Sequence, residues 1–443
     1  MDYSDTIISL CSGPIKAAVS MIRISGSDAF ELTRKVFSNK SDYEHQKVYY
    51  GFIKDNGETL DEVMATFYRG PKSFSGEDMV EITCHGNLLI VNNIIQLFIK
   101  NGARLAKRGE FTERAFLNGR IDLISAEAVN DIVNATSNKS ISLALNGLKG
   151  STSKLVYELS DELLDIISQI NVNIDYPEYD DIEQLTKDSI LPQVNNYILK
   201  IDKIIEDTKK GQKIKNGIDT VIIGRPNVGK SSLLNALIRE DKAIVTDIAG
   251  TTRDIVEGKI EIGGVTLNLI DTAGIHESTD FIEKIGIEKS LNSLKKANLV
   301  LLVLDNSAPL TEEDIYLLNE TKDYPRIILL NKSDAGHNIQ IDEGIEISAF
   351  NKDIDKLEEK IEEMFAYLSY DNEPMLFNAR QEGLLRQAKE HLLEAKKQCE
   401  DGQVVDLISI DITQAYNCIL EILGKVNKEN LLDNIFSKFC LGK

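Results

Sequence analysis

Cysteine is scarce in this chain: five residues (Cys11, Cys84, Cys399, Cys418 and Cys440) among 443, odd in number and scattered, with no pair at metal-ligand spacing. Neither a disulfide framework nor a zinc site is indicated, and free thiols in a reducing compartment are expected. Long apolar runs are missing too. No stretch approaches the roughly 20 apolar residues of a membrane span. The start, MDYSDTIISLCSGPIKAAVSMIRISG, has neither the charged opening nor the unbroken apolar run of a secretory signal. A cytoplasmic chain without a membrane anchor is the expectation. Positive charge is also in deficit: 50 Lys and Arg against 71 Asp and Glu leave a formal charge of −21 and a pI near 4.8. Such a balance opposes non-specific attraction to a polyanion, so an RNA substrate would need a partner to supply much of the grip.

What is present is an ordinary globular composition, 42% hydrophobic and 27% charged, on a chain long enough for two to four domains. Residues 1–120 mix short β-rich runs (18–24, 46–53, 62–67, 79–84) with helical stretches such as 87–100, punctuated by Gly70-Pro71, Ser75-Gly76 and Asn101-Gly102. That is an α+β N-terminal domain. From Ile121 apolar residues recur at helical spacing (Leu155, Leu159, Leu163, Ile166, Ile170, Ile174), Pro177 interrupts them, and a second helical stretch covers 191–210. Between 217 and 369 β-rich runs (220–223, 259–262, 266–270, 299–304, 326–330, 345–347) alternate with helices, and Gly263-Gly264 joins two of them as a hairpin. This is the doubly wound, mostly parallel α/β signature. Helical periodicity resumes from Leu384 to Ile422. The expected architecture is multidomain: an α+β domain over 1–120, a discontinuous helical domain over 121–216 plus 370–443, and an inserted Ras-like P-loop GTPase domain over 217–369.

A strand ending at Ile223 runs into Gly224-Arg225-Pro226-Asn227-Val228-Gly229-Lys230-Ser231 and then Ser232 and an apolar helix, which is GxxxxGK[ST] in its required strand-to-helix setting. Its glycines let backbone NH groups wrap phosphates, the helix N-terminus favours their charge, Lys230 reaches the outer phosphates and Ser231 can ligate Mg²⁺. Asp271-Thr272-Ala273-Gly274 follows a later apolar strand, where a carboxylate can meet the magnesium shell and the Gly274 NH the γ-phosphate. Asn331-Lys332-Ser333-Asp334 supplies a base reader: Asp334 can accept from the ring NH and exocyclic amine of guanine, a donor pair adenine lacks. Ser348-Ala349 ends the next strand, where a second guanine loop belongs. Any one of these short matches would more often be an ordinary loop. Four in order, each at a strand end, imply GTP.

Between the first two lies Thr246-Asp247-Ile248-Ala249-Gly250-Thr251-Thr252, the place for a switch loop with a magnesium-binding threonine. Likeness to related GTPases assigns that role to Thr252, although spacing alone does not separate it from Thr251. Ras-type enzymes orient the attacking water with a glutamine just after the DxxG glycine, and here Ile275 stands there. Another residue must position the water, with Glu277, Glu283 and Glu288 as candidates.

Outside the GTPase core, RISG (23–26), KSFSGEDMVEITCHGN (72–87), RGEFTERAFLNGRIDL (108–123), NAR (378–380) and LLDNIFSKFCLGK (431–443) are segments that generic GTPases lack. Over essentially its whole length the chain resembles the bacterial tRNA-modifying GTPase family MnmE, also called TrmE. The resemblance implies a homodimer, formed through the N-terminal domain. With the flavin protein MnmG it would install an aminomethyl or carboxymethylaminomethyl group on carbon five of the wobble uridine of certain tRNAs. It also implies GTP as substrate, Mg²⁺, K⁺, and a 5-formyltetrahydrofolate or related tetrahydrofolate. Folate contacts carry over to Arg23, Glu81 and Arg120, with Lys443 near the same ligand; the family often has lysine where Arg120 stands and proline where Arg108 stands. Glu283 becomes the residue that positions water. Asn227 becomes a side-chain ligand of K⁺, joined by Thr246, Ile248 and Thr251. Cys440 becomes a functional cysteine brought near the folate; as a prenylation box, Cys440-Leu441-Gly442-Lys443 is poor, because Gly442 is not aliphatic and no polybasic run precedes it.

Overall fold

The computed structural model describes residues 5–175, 187–239, 258–262, 264–270, 294–368, 373–426, 432, 435–440, 442 and 443. Contacts divide the chain into two compact units, one of Met1–Asn134, Ala144–Ile201 and Gly383–Lys443, the other of Ala135–Leu143 and Asp202–Glu382.

In the first unit, strands β1 (Ile7–Leu10), β2 (Val19–Ser25), β3 (Lys47–Asp55), β4 (Glu58–Tyr68), β5 (Met79–His85) and β6 (Arg104–Leu105) form one sheet in the order β3-β4-β5-β2-β1-β6. All neighbours are antiparallel except β1 and β6, which run parallel. Alternation places Ile22, Ile24, Val63, Ala65, Phe67, Val80 and Ile82 on one buried face. Helices Ala29–Val36 and Leu88–Lys100 cover it with Leu32, Val36, Ile94 and Phe98. The second of these starts at Asn87, whose side chain accepts from the Leu89 NH at 2.9 Å. The intervening positions, including Arg23 and Glu81, point to the other face. Further along, helix Ser151–Asp175 buries Leu159, Leu163, Ile166 and Ile170, and helix Val405–Ile422 buries Ile408, Ile412, Ala415, Ile419 and Ile422. These stripes at three- and four-residue spacing lie on two helices that contact one another along their length.

In the second unit, β7 (Ile218–Ile223), β8 (Gly258–Ile262), β9 (Val265–Ile270), β10 (Leu299–Asp305), β11 (Arg326–Asn331) and β12 (Gly344–Glu346) follow the order β12-β11-β10-β7-β9-β8. Every pair is parallel except the β8–β9 hairpin. All seven residues of β10 are buried, as a strand covered on both faces requires. Its alternate residues sort into two cores: Leu299, Leu301 and Val303 into one, Val300, Leu302 and Leu304 into the other. The expected doubly wound sheet is therefore found.

Two features depart from the sequence reading. Strands β1 and β6 had no periodic signal, being four and two residues long. The helix read from 191 begins at Lys187 and carries Pro192 inside it. Pro177 lies outside the described residues. Among the described residues no helix is long and apolar enough to cross a membrane.

Candidate functional site

Each unit gathers one cluster of chemically capable side chains. In the second unit, β7 ends at Ile223 and the loop 224–229 delivers the chain into helix Lys230–Arg239. Asn227 (φ 62°) and Gly229 (φ 99°) adopt left-handed backbone. At Gly229 a Cβ would lie 2.2 Å from the Asn331 amide nitrogen, so any side chain there would strain the left-handed backbone and push Asn331 from its bond to Val228. Val228 is fully buried and anchors the loop, whereas Asn227, Ser231 and Ser232 are exposed at its mouth. Lys230 Nζ donates to the Gly224 carbonyl at 2.7 Å and the Arg225 carbonyl at 2.9 Å, which holds the ammonium across the loop.

Asn331, at the end of β11, ties three loops together. Its Nδ2 donates to the Val228 carbonyl at 2.8 Å and its Oδ1 accepts from the Ala349 NH at 3.0 Å. Lys332 (φ 65°) donates to Asp305 Oδ2 at 2.7 Å. Burial alone would raise the Asp305 carboxyl, but the Lys332 ammonium and the Ser307 donors hold it below its usual range. Asp334 is exposed and accepts from Ser348 Oγ at 2.6 Å. The parts expected from the sequence, Asn227 to Ser232, Asn331 to Asp334, and Ser348 with Ala349, are thus joined by direct bonds around one mouth. Thr246, Asp247, Ile248, Ala249, Gly250, Thr251, Thr252, Asp271, Thr272, Ala273, Gly274 and Glu283 lie outside the described residues. Sequence reading missed a brace beneath the loop: Arg225 Nε donates to Asp314 Oδ2 at 3.2 Å, and its guanidinium lies 3.6 Å from Asp305. Asp305 at the end of a wholly apolar strand was the available signal.

The other cluster occupies the sheet face of the first unit that the two helices leave uncovered. Arg23 and Glu81 stand opposite one another on β2 and β5, and Arg23 donates to Glu81 Oε1 through Nε at 3.0 Å and a terminal nitrogen at 2.7 Å. Tyr68 OH donates to the other Glu81 oxygen at 3.2 Å. The Arg23 guanidinium lies over the Phe74 ring at 4.4 Å and over Phe111 at 5.5 Å. Arg120 reaches the same ring, 5.4 Å from its centroid, and donates to the Phe74 carbonyl at 2.6 Å. Burial and the Arg23 charge lower the proton affinity of Arg120.

The C-terminal segment closes on this sheet. Cys11 Sγ donates to the Gly442 carbonyl at 3.1 Å, the Gly109 NH to the Cys440 carbonyl at 3.4 Å, and the Phe111 NH to the Lys443 carbonyl at 3.2 Å. Gly442 (φ 88°) admits no side chain, because a Cβ would lie 2.3 Å from the Leu10 carbonyl. Burial pushes the Cys11 thiol up and Glu81 adds to the rise, while Arg23 and Lys443 oppose it. Cys440 is exposed. The structure therefore brings Arg23, Glu81, Arg120 and the 440–443 segment together, and adds Cys11, Tyr68, Phe74 and Phe111. Phe74 and Phe111 stood in KSFSG and GEFT as visible signals, but nothing in the sequence pointed to Cys11 or Tyr68.

Among the described residues no group of three or more His, Cys, Asp or Glu could hold a metal ion. The oxygen donors at the loop mouth, the Ser231 hydroxyl and the Asn227 amide, are of the hard type that Mg²⁺ and K⁺ take.

Two family models match the chain: the GTP-binding protein TrmE N-terminus over residues 6–120 and the MnmE helical domain over residues 123–440. The tRNA modification GTPase MnmE of Lactiplantibacillus plantarum is 44% identical over 456 residues, covering 99% of this chain and 98% of that protein. The tRNA modification GTPase MnmE of Streptococcus sanguinis is 45% identical over 451 residues, covering 99% of each.

Proposed function

The chain belongs to the MnmE (TrmE) family of tRNA modification GTPases and is a GTP hydrolase acting in tRNA modification, and from that premise we propose that it couples K⁺-dependent GTP hydrolysis to one-carbon chemistry at carbon five of the wobble uridine, together with the flavin protein MnmG. The proposed organisation is a homodimer, each chain built of an N-terminal domain over 1–120, a helical domain over 121–216 plus 370–443, and an inserted GTPase domain over 217–369. The observation that carries this reading is the convergence of two arginines, a glutamate, two aromatic rings and the segment ending in Cys440 and Lys443 on one sheet face. A generic GTPase needs none of it.

The chemistry follows from the residues. Arg23 and Arg120 suit the glutamyl carboxylates of a folate, Phe74 offers an apolar face to a flat ring, and Glu81 accepts from the donors of a pterin. Cys440, exposed beside them, is the nucleophile candidate. In the nucleotide site Lys230 exchanges the two loop carbonyls for phosphate oxygens, Asp334 reads the guanine edge, and Glu283 orients the attacking water. Ser231 and Thr252 hold Mg²⁺, Asn227 with Thr246, Ile248 and Thr251 holds K⁺, and Asp271 to Gly274 contacts the γ-phosphate side. When bound, the two ions neutralise phosphate charge, as an arginine finger does elsewhere, and a formylated tetrahydrofolate supplies the one-carbon unit.

Cys440→Ser and Arg23→Ala should leave GTP affinity and K⁺-stimulated hydrolysis nearly intact while abolishing wobble-uridine modification. Arg23→Ala should also weaken formyl-tetrahydrofolate binding by about 1.5 to 3 kcal/mol. A single reaction with MnmG, tRNA, folate and GTP, read for both modified nucleoside and phosphate, gives the answer; parental modification by both variants rejects the folate and cysteine site. Asn227→Ala should remove the difference between KCl and NaCl at matched ionic strength while nucleotide binding persists. Equal parental rates in the two salts reject the K⁺ assignment.

A further inference from the structure

Charge is unevenly spread over this acidic chain. In the second unit a small hollow is lined by Ser137, Lys139, Lys213, Gly264, Thr266 and Leu368, among others. The stretches around it, 135–143, 208–217, 264–268 and 365–368, carry five lysines and no carboxylate, on a protein whose formal charge is −21. Lys209 and Lys210 stand four and three residues before Lys213 on helix Lys187–Asn216, so like charges crowd one stripe, which costs helix stability. A Cβ on Gly264 would lie 3.3 Å from Lys139 Nζ, which places that ammonium at the β8–β9 turn. Among the described residues Lys139, Lys209, Lys210 and Lys213 enter no ion pair, and the bordering Glu206, Asp207 and Glu261 leave them unmatched. Lys213 donates to the Tyr367 hydroxyl at 3.0 Å, and Lys215 lies over the Phe377 ring at 5.2 Å. Thr266, 6% exposed, keeps a buried hydroxyl with no partner among the described residues.

We propose that this lysine stripe and its hollow form a docking site for the phosphodiester backbone of the tRNA. The proposal rests on the reading of the chain as acting on tRNA. The hollow has room for about 10 Å³, one water-sized group, so it suits a single phosphate oxygen and cannot take a free nucleotide. The positive charge continues along the helix, where a rise of 1.5 Å per residue sets Lys209 and Lys213 about 6 Å apart along the axis, the scale of neighbouring phosphates on one strand. Protein–protein interfaces are depleted of lysine, whereas lysine dominates here, which favours RNA over an acidic protein. Phosphate contacts fix register and orientation without reading sequence, so this surface positions the RNA and leaves its choice to other groups. An acidic chain depends on such a patch, because its overall field repels a polyanion everywhere else.

The test is tRNA binding by the full chain, alone and with MnmG, followed by fluorescence anisotropy between about 50 and 200 mM KCl. Lys139→Gln, Lys209→Gln and Lys213→Gln combined should raise Kd about tenfold or more at low salt. They should also flatten the plot of log affinity against log salt by about 2, since each phosphate contact contributes about 0.7 to 0.9. The corresponding arginine triple should keep both values, and GTP affinity and K⁺-stimulated hydrolysis should stay parental in both triples. If the glutamine triple binds tRNA with parental affinity and slope while the parent makes modified nucleoside, the docking site is overturned and the tRNA reading stands. An equal loss in the arginine triple also overturns it. So does loss of binding to polyglutamate with tRNA affinity unchanged, which assigns the patch to an acidic protein. If the parent makes no modified nucleoside with MnmG, tRNA, folate and GTP, the tRNA reading itself fails and the site falls with it.

Discussion

The nucleotide loops and the N-terminal sheet face are built on opposite plans. Around the nucleotide mouth each part is a short contiguous string, 224–231, 331–334 and 348–349, and backbone atoms make most of the joins: the Val228 carbonyl, the Ala349 NH, the Gly224 and Arg225 carbonyls. On the sheet face single side chains arrive from distant strands and from far along the chain, Glu81 standing 58 positions after Arg23 and Gly442 431 positions after Cys11. A site made of local backbone is tolerant of what happens elsewhere. A site made of remote side chains is only as good as the register and core beneath it.

Removing a buried charge should break the second plan and spare the first. Arg114 is 1% exposed and donates to Asp5 Oδ1 at 2.6 Å and to Glu110 Oε1 at 3.0 Å, with Glu77 at 3.2 Å. Glu110, equally buried, has a carboxyl that burial would raise but that Arg104, the Lys107 NH and Arg114 hold low. Arg114→Ala leaves Glu110 paired with Arg104 and the Lys107 NH but takes the buried cation away from Asp5 and Glu77, and should cost about 3 kcal/mol of stability. Urea unfolding followed by fluorescence of the N-terminal tyrosines and by bound nucleotide analogue should separate the two regions; a parallel loss of GDP affinity in the folded variant would show that the plans are not independent.

The converse change is smaller. Asp334→Asn should weaken GTP by about 2 kcal/mol or more, the scale of a lost charge-assisted hydrogen bond, and leave formyl-tetrahydrofolate binding at the parental value by calorimetry. A folate defect in this variant would contradict the comparison from the other side.

The smallest effect sharpens the description of the sheet face itself. The Asp61 carboxylate accepts from the His85 NH at 2.8 Å and lies 2.7 Å from the His85 ring, and this hydrogen bond, followed by its charge, raises the imidazole above 6.5. A raised histidine contributes its full stability below the unfolded value and loses it as pH climbs through the folded one. The urea midpoint should therefore drift down slightly between about pH 6 and pH 8, and His85→Asn should remove that drift. An unchanged slope in His85→Asn would assign the drift to another group.

These two plans also explain what the sequence disclosed. Gly224 to Ser231 is legible because backbone conformation is encoded locally: Gly229 is required by the left-handed turn and by Asn331 pressed against it, and GxxxxGK[ST] already states as much. The doubly wound sheet was legible for a similar reason, since the fully apolar 299–304 run announces a strand covered on both faces. Arg23 and Glu81 were reached only through family resemblance. Alternation along β2 and β5 assigns each to a face, but their pairing is a matter of register, and no local pattern fixes the register of strands more than fifty residues apart. Arg225 with Asp314 and Cys11 with Gly442 were hidden in the same way, since each needs the tertiary fold before the partners meet. Strand β6, two residues long, carries no pattern at all.

The bond between Cys11 and Gly442 fixes an order of assembly. A ribosome delivers β1 first and its last neighbour 431 residues later, at about 5 to 20 residues per second, so the sheet waits through the synthesis of nearly everything else before that contact closes. In the interval the phosphate loop and its sheet are complete. A chain halted before residue 440 would already possess its phosphate loop yet lack the carbonyls of Cys440, Gly442 and Lys443 that meet Gly109, Cys11 and Phe111 on the other sheet.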